Sequence, residues 1–294
     1  MTPDLSSVVE GFFRDKRLYG LNFSCSYSGK RFPMILLSEQ AQRSNLETVS
    51  DLHRRGIPVP EGLVCVAYTG KGFLGRHDRT WQCEPGNLHA VFHLKPMITP
   101  AAAGPAFSIL AAVACVETVD KLYPHAGAPT LKWVNDLFVG KKKIAGVLTR
   151  QTFLEPLITN AFLGIGVNVQ VEPRLMPDPF VPDTGCLRKL YDDPTLAPGH
   201  FLIALMEQME TWYDRLLTEG VGTLLNYYRA HSEVLNRQVR IYEDGYGLSR
   251  IKISDRKIKA EGEVEAILDD LSLKIRDLDL PVSSGRLALV EDCL

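Results

Sequence analysis

The chain has 294 residues, 45% of them hydrophobic and 23% charged, and a net charge of -2. That length can bury one large core plus a small accessory unit. The near-neutral balance supplies no general basic field for nucleic acid, and no apolar run approaches the ~18 residues of a membrane helix. Asp4, Glu10 and Asp15, without a long apolar stretch beside them, match neither a secretory signal nor an acid-poor transit peptide. Cys25, Cys65, Cys83, Cys115, Cys186 and Cys293 form no CxxC pair and accompany no histidine cluster. Free thiols in a reducing, cytoplasmic setting are therefore expected.

Leu5 to Tyr19 suits a short amphipathic helix capped near Ser6-Ser7. Residues 41–55 predict a helix with Leu46, Val49 and Leu52 at three-residue spacing, stopped at Gly56. Leu63-Val64-Cys65-Val66-Ala67 is a continuous apolar run suited to a buried strand, and a glycine-rich loop from Thr69 to Gly75 follows it. Asn87 to Leu94 is another strand. Pro105 to Leu122 predicts a strongly apolar helix, with proline acceptable in its first turn. Next come a hairpin over 130–149, a buried strand over Leu157 to Val169, a proline-rich loop over 173–198, and helices over 199–218 and 221–231. From about residue 233 short alternating segments take over: Gln238 to Tyr242, Arg250 to Ile253, Val264 to Ile267, Leu271 to Ile275 and Leu287 to Val290. Turns at Glu243-Asp244-Gly245 and Leu268-Asp269-Asp270 separate several of them, which predicts a small antiparallel barrel.

The chemistry concentrates in two places. Lys132-Trp133-Val134-Asn135-Asp136-Leu137 and Lys143-Ile144-Ala145-Gly146-Val147-Leu148 read as the arms of a hairpin about a tight turn at Val139-Gly140-Lys141. Lys132, Asn135 and Asp136 precede the turn and Lys143 begins the return strand, over apolar Leu137, Val139, Ile144 and Val147. Such a hairpin holds cations and a carboxylate close together on a rigid support, as chemistry on an anionic substrate requires. Residues 69–81 add Gly70, Gly72, Gly75, Lys71, Arg76, His77, Arg79 and Trp81. A glycine-rich loop can bring backbone N–H groups to an anion, and arginine can grip phosphate or carboxylate bidentately. The loop is neither a P-loop nor a GxGxxG. Taken alone, these residues also fit a solvated turn, a hairpin's polar face and, for Lys143, a surface lysine in the run Lys141-Lys142-Lys143. No Ser/His/Asp or Cys/His constellation is read, so a covalent enzyme intermediate is not expected.

Three segments, in order, resemble the biotin protein ligases. They are Gly75-Arg76 through Trp81 to Pro85-Gly86-Asn87-Leu88, the 132–148 hairpin with Val134 at the family's proline, and Gly164-Ile165-Gly166-Val167-Asn168-Val169. The resemblance implies an α+β catalytic domain over 1–232 with the class II synthetase-like biotin/lipoate ligase fold. Its mixed β-sheet would carry helices packed mainly on one face, and a small SH3-like β-barrel would follow over 233–294. It implies an ATP- and Mg2+-dependent ligase that forms biotinyl-5'-AMP and transfers biotin to a lysine of a biotin carboxyl carrier domain. Lys143 would bridge the biotin carboxylate and the α-phosphate. Arg76 would contact the adenylate phosphate, Arg79 and Trp81 would lie against ATP, and Asp136 would help hold Mg2+. Gly146 would admit biotin to the strand, Asn168 would reach ATP, and Ser44 and Asn45 would begin the biotin pocket. Gly75, Lys132 and Asn135 would complete the binding set.

Some positions depart from the family pattern. Arg43-Ser44-Asn45 stands for Ser-Thr-Asn, Gly70 for a glutamine, and Cys83-Glu84 for Ser-Pro. Without gaps, Phe73-Leu74 falls on the first Gly-Arg pair; a gapped alternative places Gly70-Lys71-Gly72 there and treats His77-Asp78 as inserted. Arg76 keeps its place under both. These changes touch the biotin side more than the ATP side, and they keep lipoate or octanoate ligation and a noncatalytic binding relative as alternatives. The Trp-x-Asn-Asp form favours biotin. Residues 1–40 are too short for a winged helix and lack its basic recognition helix, so no DNA partner is expected. No membrane partner is expected either, and dimerisation is left open.

Overall fold

The computed structural model describes residues 18–21, 29–127, 129–174, 178–245 and 255–293. In chain order the elements are β1 (Leu18–Leu21), β2 (Met34–Ala41), α1 (Asn45–Arg54), β3 (Leu63–Gly70), β4 (Leu88–Leu94), α2 (Pro100–Ala103), α3 (Ala106–Leu122), β5 (Thr130–Lys132), β6 (Asp136–Val139), β7 (Lys142–Leu154), β8 (Leu157–Val167), β9 (Asp183–Thr184), α4 (Leu187–Leu190), α5 (Pro198–Glu219) and α6 (Val221–Ala230). Then come β10 (Gln238–Tyr242), β11 (Ile258–Ile267), β12 (Leu273–Ile275) and β13 (Arg286–Leu289).

The large sheet runs β1-β2-β3-β4-β8-β7-β6-β5, with β9 added alongside β7. Only β2–β3 and β7–β9 pair in parallel among the described strands; the other pairs are antiparallel. The class is mixed α+β, as expected. Strand alternation assigns the two faces. Ala90, Phe92, Leu163, Ile165, Ala145 and Val147 join the main core with α3. Val91, Cys65 and Phe162 point the other way, beneath Leu46, Val49 and Leu52 of α1. Helix α3 is apolar almost all round because the sheet covers one side and α5 and α6 cover the other.

The C-terminal strands form a second antiparallel sheet, β12-β11-β10-β13. Its Val239, Ile241, Val264 and Leu273 are continuous with the main core. It is open, and closure into a barrel is not seen among the described residues. The strand expected at Arg250 to Ile253 lies outside those residues, as do residues 5–17 of the expected first helix. Leu18 and Tyr19 are strand, paired with Ser38 and Leu37.

Two further expectations are corrected, and one strand falls where none was expected. Met34–Ala41 is a strand that the half-apolar run MILLSEQA does not announce. The first arm of the 130–149 hairpin is two strands, because Trp133-Val134-Asn135 forms a turn of its own. That turn is fixed from outside: Trp133 Nε1 donates to the Leu271 carbonyl at 2.7 Å and the Tyr228 hydroxyl donates to the Val134 carbonyl at 2.9 Å. The 173–198 loop carries β9 and α4. No helix among the described residues is long and apolar enough to cross a membrane.

Candidate active site

The site grows from the face of the sheet that carries α1. Gly146 on β7 pairs with Gly166 on β8, which pairs with His89 on β4; Gly164 lies two residues along. These glycines leave a flat floor, and Trp81 lies on it. A Cβ on Gly166 would stand 2.5 Å from Cζ2 and 2.6 Å from Nε1 of Trp81, and one on Gly146 would stand 3.4 Å from Cζ3. The indole Nε1–H donates to His89 Nδ1 at 3.2 Å. Burial pushes the His89 ring down to about 4, so near neutral pH it is uncharged and Nδ1 can accept.

The loop before Trp81 is a small closed hairpin. Trp81 N donates to the Phe73 carbonyl at 2.9 Å, Gly75 N donates to the Arg79 carbonyl at 2.6 Å, and Leu74 bridges Thr80. Phe73 folds inward over Gly70, where a Cβ would come within 2.5 Å of the ring and 2.8 Å of the Ala41 carbonyl. No side chain fits there without movement.

The charged groups come from β5, β6 and β7. Asp136 pairs in register with Lys132 on one side and Gly146 on the other. Lys143 Nζ lies 2.6 Å from Asp136 Oδ2 and 5.8 Å from the centre of the Trp81 ring. A Cβ on Gly146 would be 3.3 Å from Asp136 Oδ1 and 3.7 Å from Lys143 Cε. Ammonium, carboxylate and indole thus converge over a glycine. Lys132 is only 3% exposed, and its Nζ donates to the Phe180 carbonyl at 3.0 Å. Burial lowers its pKa, while Glu233, Asp292 and Asp136 counter that and favour the charged form. Arg76 makes no ion pair among the described residues, whereas Arg79 Nη1 is 3.4 Å from Asp244.

The amides have structural duties. Asn135 Nδ2 donates to the Val147 carbonyl and its own carbonyl accepts from Val147 N at 3.0 Å, tying the 133–135 turn to β7. Asn168 Nδ2 donates to the Lys143 carbonyl at 3.4 Å, and its buried Oδ1 has no hydrogen-bond partner among the described residues. Asn45, 2% exposed at the start of α1, has no partner for either amide atom among the described residues.

The structure brings the sequence-named residues together. Ser44, Asn45, Gly75, Arg76, Arg79, Trp81, Lys132, Asn135, Asp136, Lys143, Gly146 and Asn168 all line one cavity of about 520 Å³. It also shows lining that sequence reasoning missed: Phe73, His89, Phe180 and Arg286. Arg286, on β13, lies 3.8 Å over the Phe180 ring and 3.1 Å from Asp178. Burial pushes it down to about 10, toward easier deprotonation than an ordinary guanidinium. Nothing local in the sequence signals Arg286, since its partners are far along the chain. No group of three or more His, Cys, Asp or Glu side chains could hold a metal among the described residues. Asp136 offers a carboxylate beside Lys143, which suits Mg2+, an ion that takes few protein carboxylates and completes its shell with phosphate oxygens and water.

The site is thus a mixed sheet with a glycine floor, a tryptophan across it and a lysine–aspartate pair beside an arginine loop. Residues 40–168 match the biotin/lipoate A/B protein ligase family. Over 121 residues the chain is 36% identical to the bifunctional ligase/repressor BirA of Bacillus subtilis, covering 40% of this chain and 36% of that relative. The chain therefore spans about a third of that relative's length. It is 27% identical over 173 residues to the biotin–[acetyl-CoA-carboxylase] ligase of Paracoccus denitrificans, covering 56% of this chain and 68% of the relative. The fold is similar to that of the biotin protein ligase from Aquifex aeolicus in complex with biotin and ATP, with TM-score 0.64 and 16% identity, over 87% of this chain and 97% of that one.

Proposed function

We propose that this chain is an ATP-dependent biotin protein ligase. The observation that carries the reading is the convergence of Lys143, Asp136 and Trp81 over Gly146 inside the cavity. In the first step a biotin carboxylate oxygen bonds to the α-phosphorus of ATP and pyrophosphate leaves. Two anions must meet, and Lys143 and Arg76 offset their repulsion most where negative charge builds at phosphorus. Mg2+ held by Asp136 and phosphate oxygens would supply further charge neutralisation. In the second step a neutral lysine amine of a biotin carboxyl carrier domain bonds to the acyl carbon and AMP leaves. Asp136 would take the proton the amine loses.

The polar head of the acid supports biotin over lipoate. Asn45 presents both a donor and an acceptor without a partner among the described residues, which suits a cyclic urea and has no use for a dithiolane. The catalytic unit over 1–232, an SH3-like closure of the 233–294 unit, and a cytoplasmic setting belong to the same proposal. Its test is ATP–pyrophosphate exchange with biotin and, separately, with lipoate. Biotin-dependent exchange is expected. Exchange with lipoate alone would change the substrate, and exchange with neither would leave a binding protein without catalysis.

A further inference from the structure

The 75–81 loop is closed at its base by its own backbone bonds, but its tip is held by a residue from the other sheet. Asp244 follows β10, with its side chain 5% exposed. Its Oδ2 lies 2.9 Å from His77 Nδ1 and 3.4 Å from Arg79 Nη1. Burial works against ionisation of Asp244, yet Arg79, His77 and Arg286 outweigh it and hold the carboxyl below the usual carboxylate range. His77 sits at φ 53, a left-handed conformation that costs a residue with a side chain roughly 1 kcal/mol. Such a conformation persists where surrounding contacts fix it. The loop tip is thus bent into place and clasped by a carboxylate more than 160 residues away in the chain.

The consequence concerns retention of the bound anion. A loop already ordered before ligand arrives spends less binding free energy on ordering itself. Arg76 and Trp81 flank the clasped residues, so freedom at the tip passes directly to both. We propose that Asp244 is a positioning residue for the anion-binding loop, so that the C-terminal sheet, through His77 and Arg79, sets how long the acyl-adenylate is held. This rests on the ligase reading for its catalytic consequence, but the clasp itself does not.

The experiment compares the full chain with Asp244→Ala, the near-isosteric Asp244→Asn, Arg79→Ala and the double variant Asp244→Ala/Arg79→Ala. Two quantities are read: amide hydrogen exchange of residues 75–81, and the dissociation rate of biotinyl-5'-AMP formed in place, with thermal melts checking that each variant is folded. Asp244→Ala is expected to speed both by about tenfold, the scale of losing a charge-assisted hydrogen bond. Asp244→Asn, which keeps one acceptor, is expected to fall between it and wild type. In the Arg79→Ala background the same Asp244→Ala change is expected to add clearly less, because a shared partner is already gone. Unchanged exchange over 75–81 in a folded Asp244→Ala protein overturns the clasp. Full additivity with Arg79→Ala overturns it too, since a merely structural aspartate would behave that way. A wild type that forms no adenylate defeats the ligase reading alone, and the hydrogen-exchange comparison still decides the clasp.

Discussion

The two ends of the cavity are built on different principles. At the end that the proposal gives to phosphate, polar groups are locked by strand register and by one another. Lys143 pairs with Asp136, Asn168 holds the Lys143 carbonyl, Asn135 is tied to Val147, and Lys132 is anchored on Phe180. At the end that the proposal gives to the acid's head group, packing sets the shape. Phe73 closes over Gly70 beside Ala41, Ala67 and Cys83, and Asn45 keeps an amide without a partner among the described residues. Gly70 and Cys83, two of the departures from the family pattern, belong to the second end, whereas Val134 stands for the family's proline in the hairpin of the first. Charge chemistry tolerates little displacement, whereas a packed wall can be rebuilt with other side chains of suitable volume. The difference implies that substitutions at the phosphate end change the rate, and those at the other end change selectivity or stability.

Lys143→Ala gives the largest expected effect. It removes the cation that faces both anions and leaves Asp136 without its partner. Biotin-dependent ATP–pyrophosphate exchange is expected to fall by roughly 10²–10³-fold, the scale of deleting one electrostatic contact to a developing charge. The thermal midpoint should hardly move, since the pair is partly exposed. A variant within about threefold of wild type would make Lys143 a surface lysine after all and dissolve the contrast between the ends.

Gly166→Ala comes next. The added methyl would occupy the space of the Trp81 ring, so the indole must leave the floor and its bond to His89. Activity is expected to drop by about tenfold or more, because a misplacement of about 1 Å is enough to lose alignment. The bond itself can be followed by the indole N–H resonance of Trp81. An unmoved resonance with full activity would show that the floor does not need to be flat.

Gly70→Gln sharpens the other half of the contrast, because it restores the residue of the family pattern. Its Cβ meets the Ala41 carbonyl as well as Phe73, and backbone cannot give way as a ring can. The cost expected in chemical denaturation is about 1–3 kcal/mol, typical of overpacking. Phe73→Ala in the same chain should recover part of it. A fully stable Gly70→Gln protein would mean that Phe73 moves freely and the head-group wall is not fixed by packing.

Much of this arrangement was legible because its signals are local. Helix α3 announces itself by a long apolar run between Pro105 and Leu122, and the hairpin residues lie within a short stretch whose members line one cavity. What escaped reading depends on distant partners. The 133–135 turn is held by Val147, Leu271 and Tyr228, none of which is visible from its own residues. Met34–Ala41 is a strand because β3 lies parallel beside it and β1 antiparallel on its other edge, not because of an alternating pattern. Arg286 and Asp244 reach the site only because the C-terminal sheet folds against the cavity mouth, a placement that residue spacing cannot encode.

Arg43→Ala carries the smallest expected effect and tests whether a departure from the family pattern is a departure in the pocket. Arg43 stands where the pattern has serine, yet its Nη1 pairs with Asp51 Oδ2 at 2.6 Å on the surface of α1, with the arginine side chain 42% exposed. It does not line the cavity; the adjacent Ser44 and Asn45 do. Asp51 is shared with Arg54, so removing Arg43 does not leave the carboxylate unpaired. The loss expected in stability is below about 1 kcal/mol, as for other exposed pairs. The KM for biotin should stay within about twofold of wild type, because no wall of the cavity changes. A tenfold rise in that KM with kcat unchanged would place the guanidinium on the bound acid. The head-group end would then owe its selectivity to charge, as the phosphate end does, and the contrast between them would be one of sequence alone.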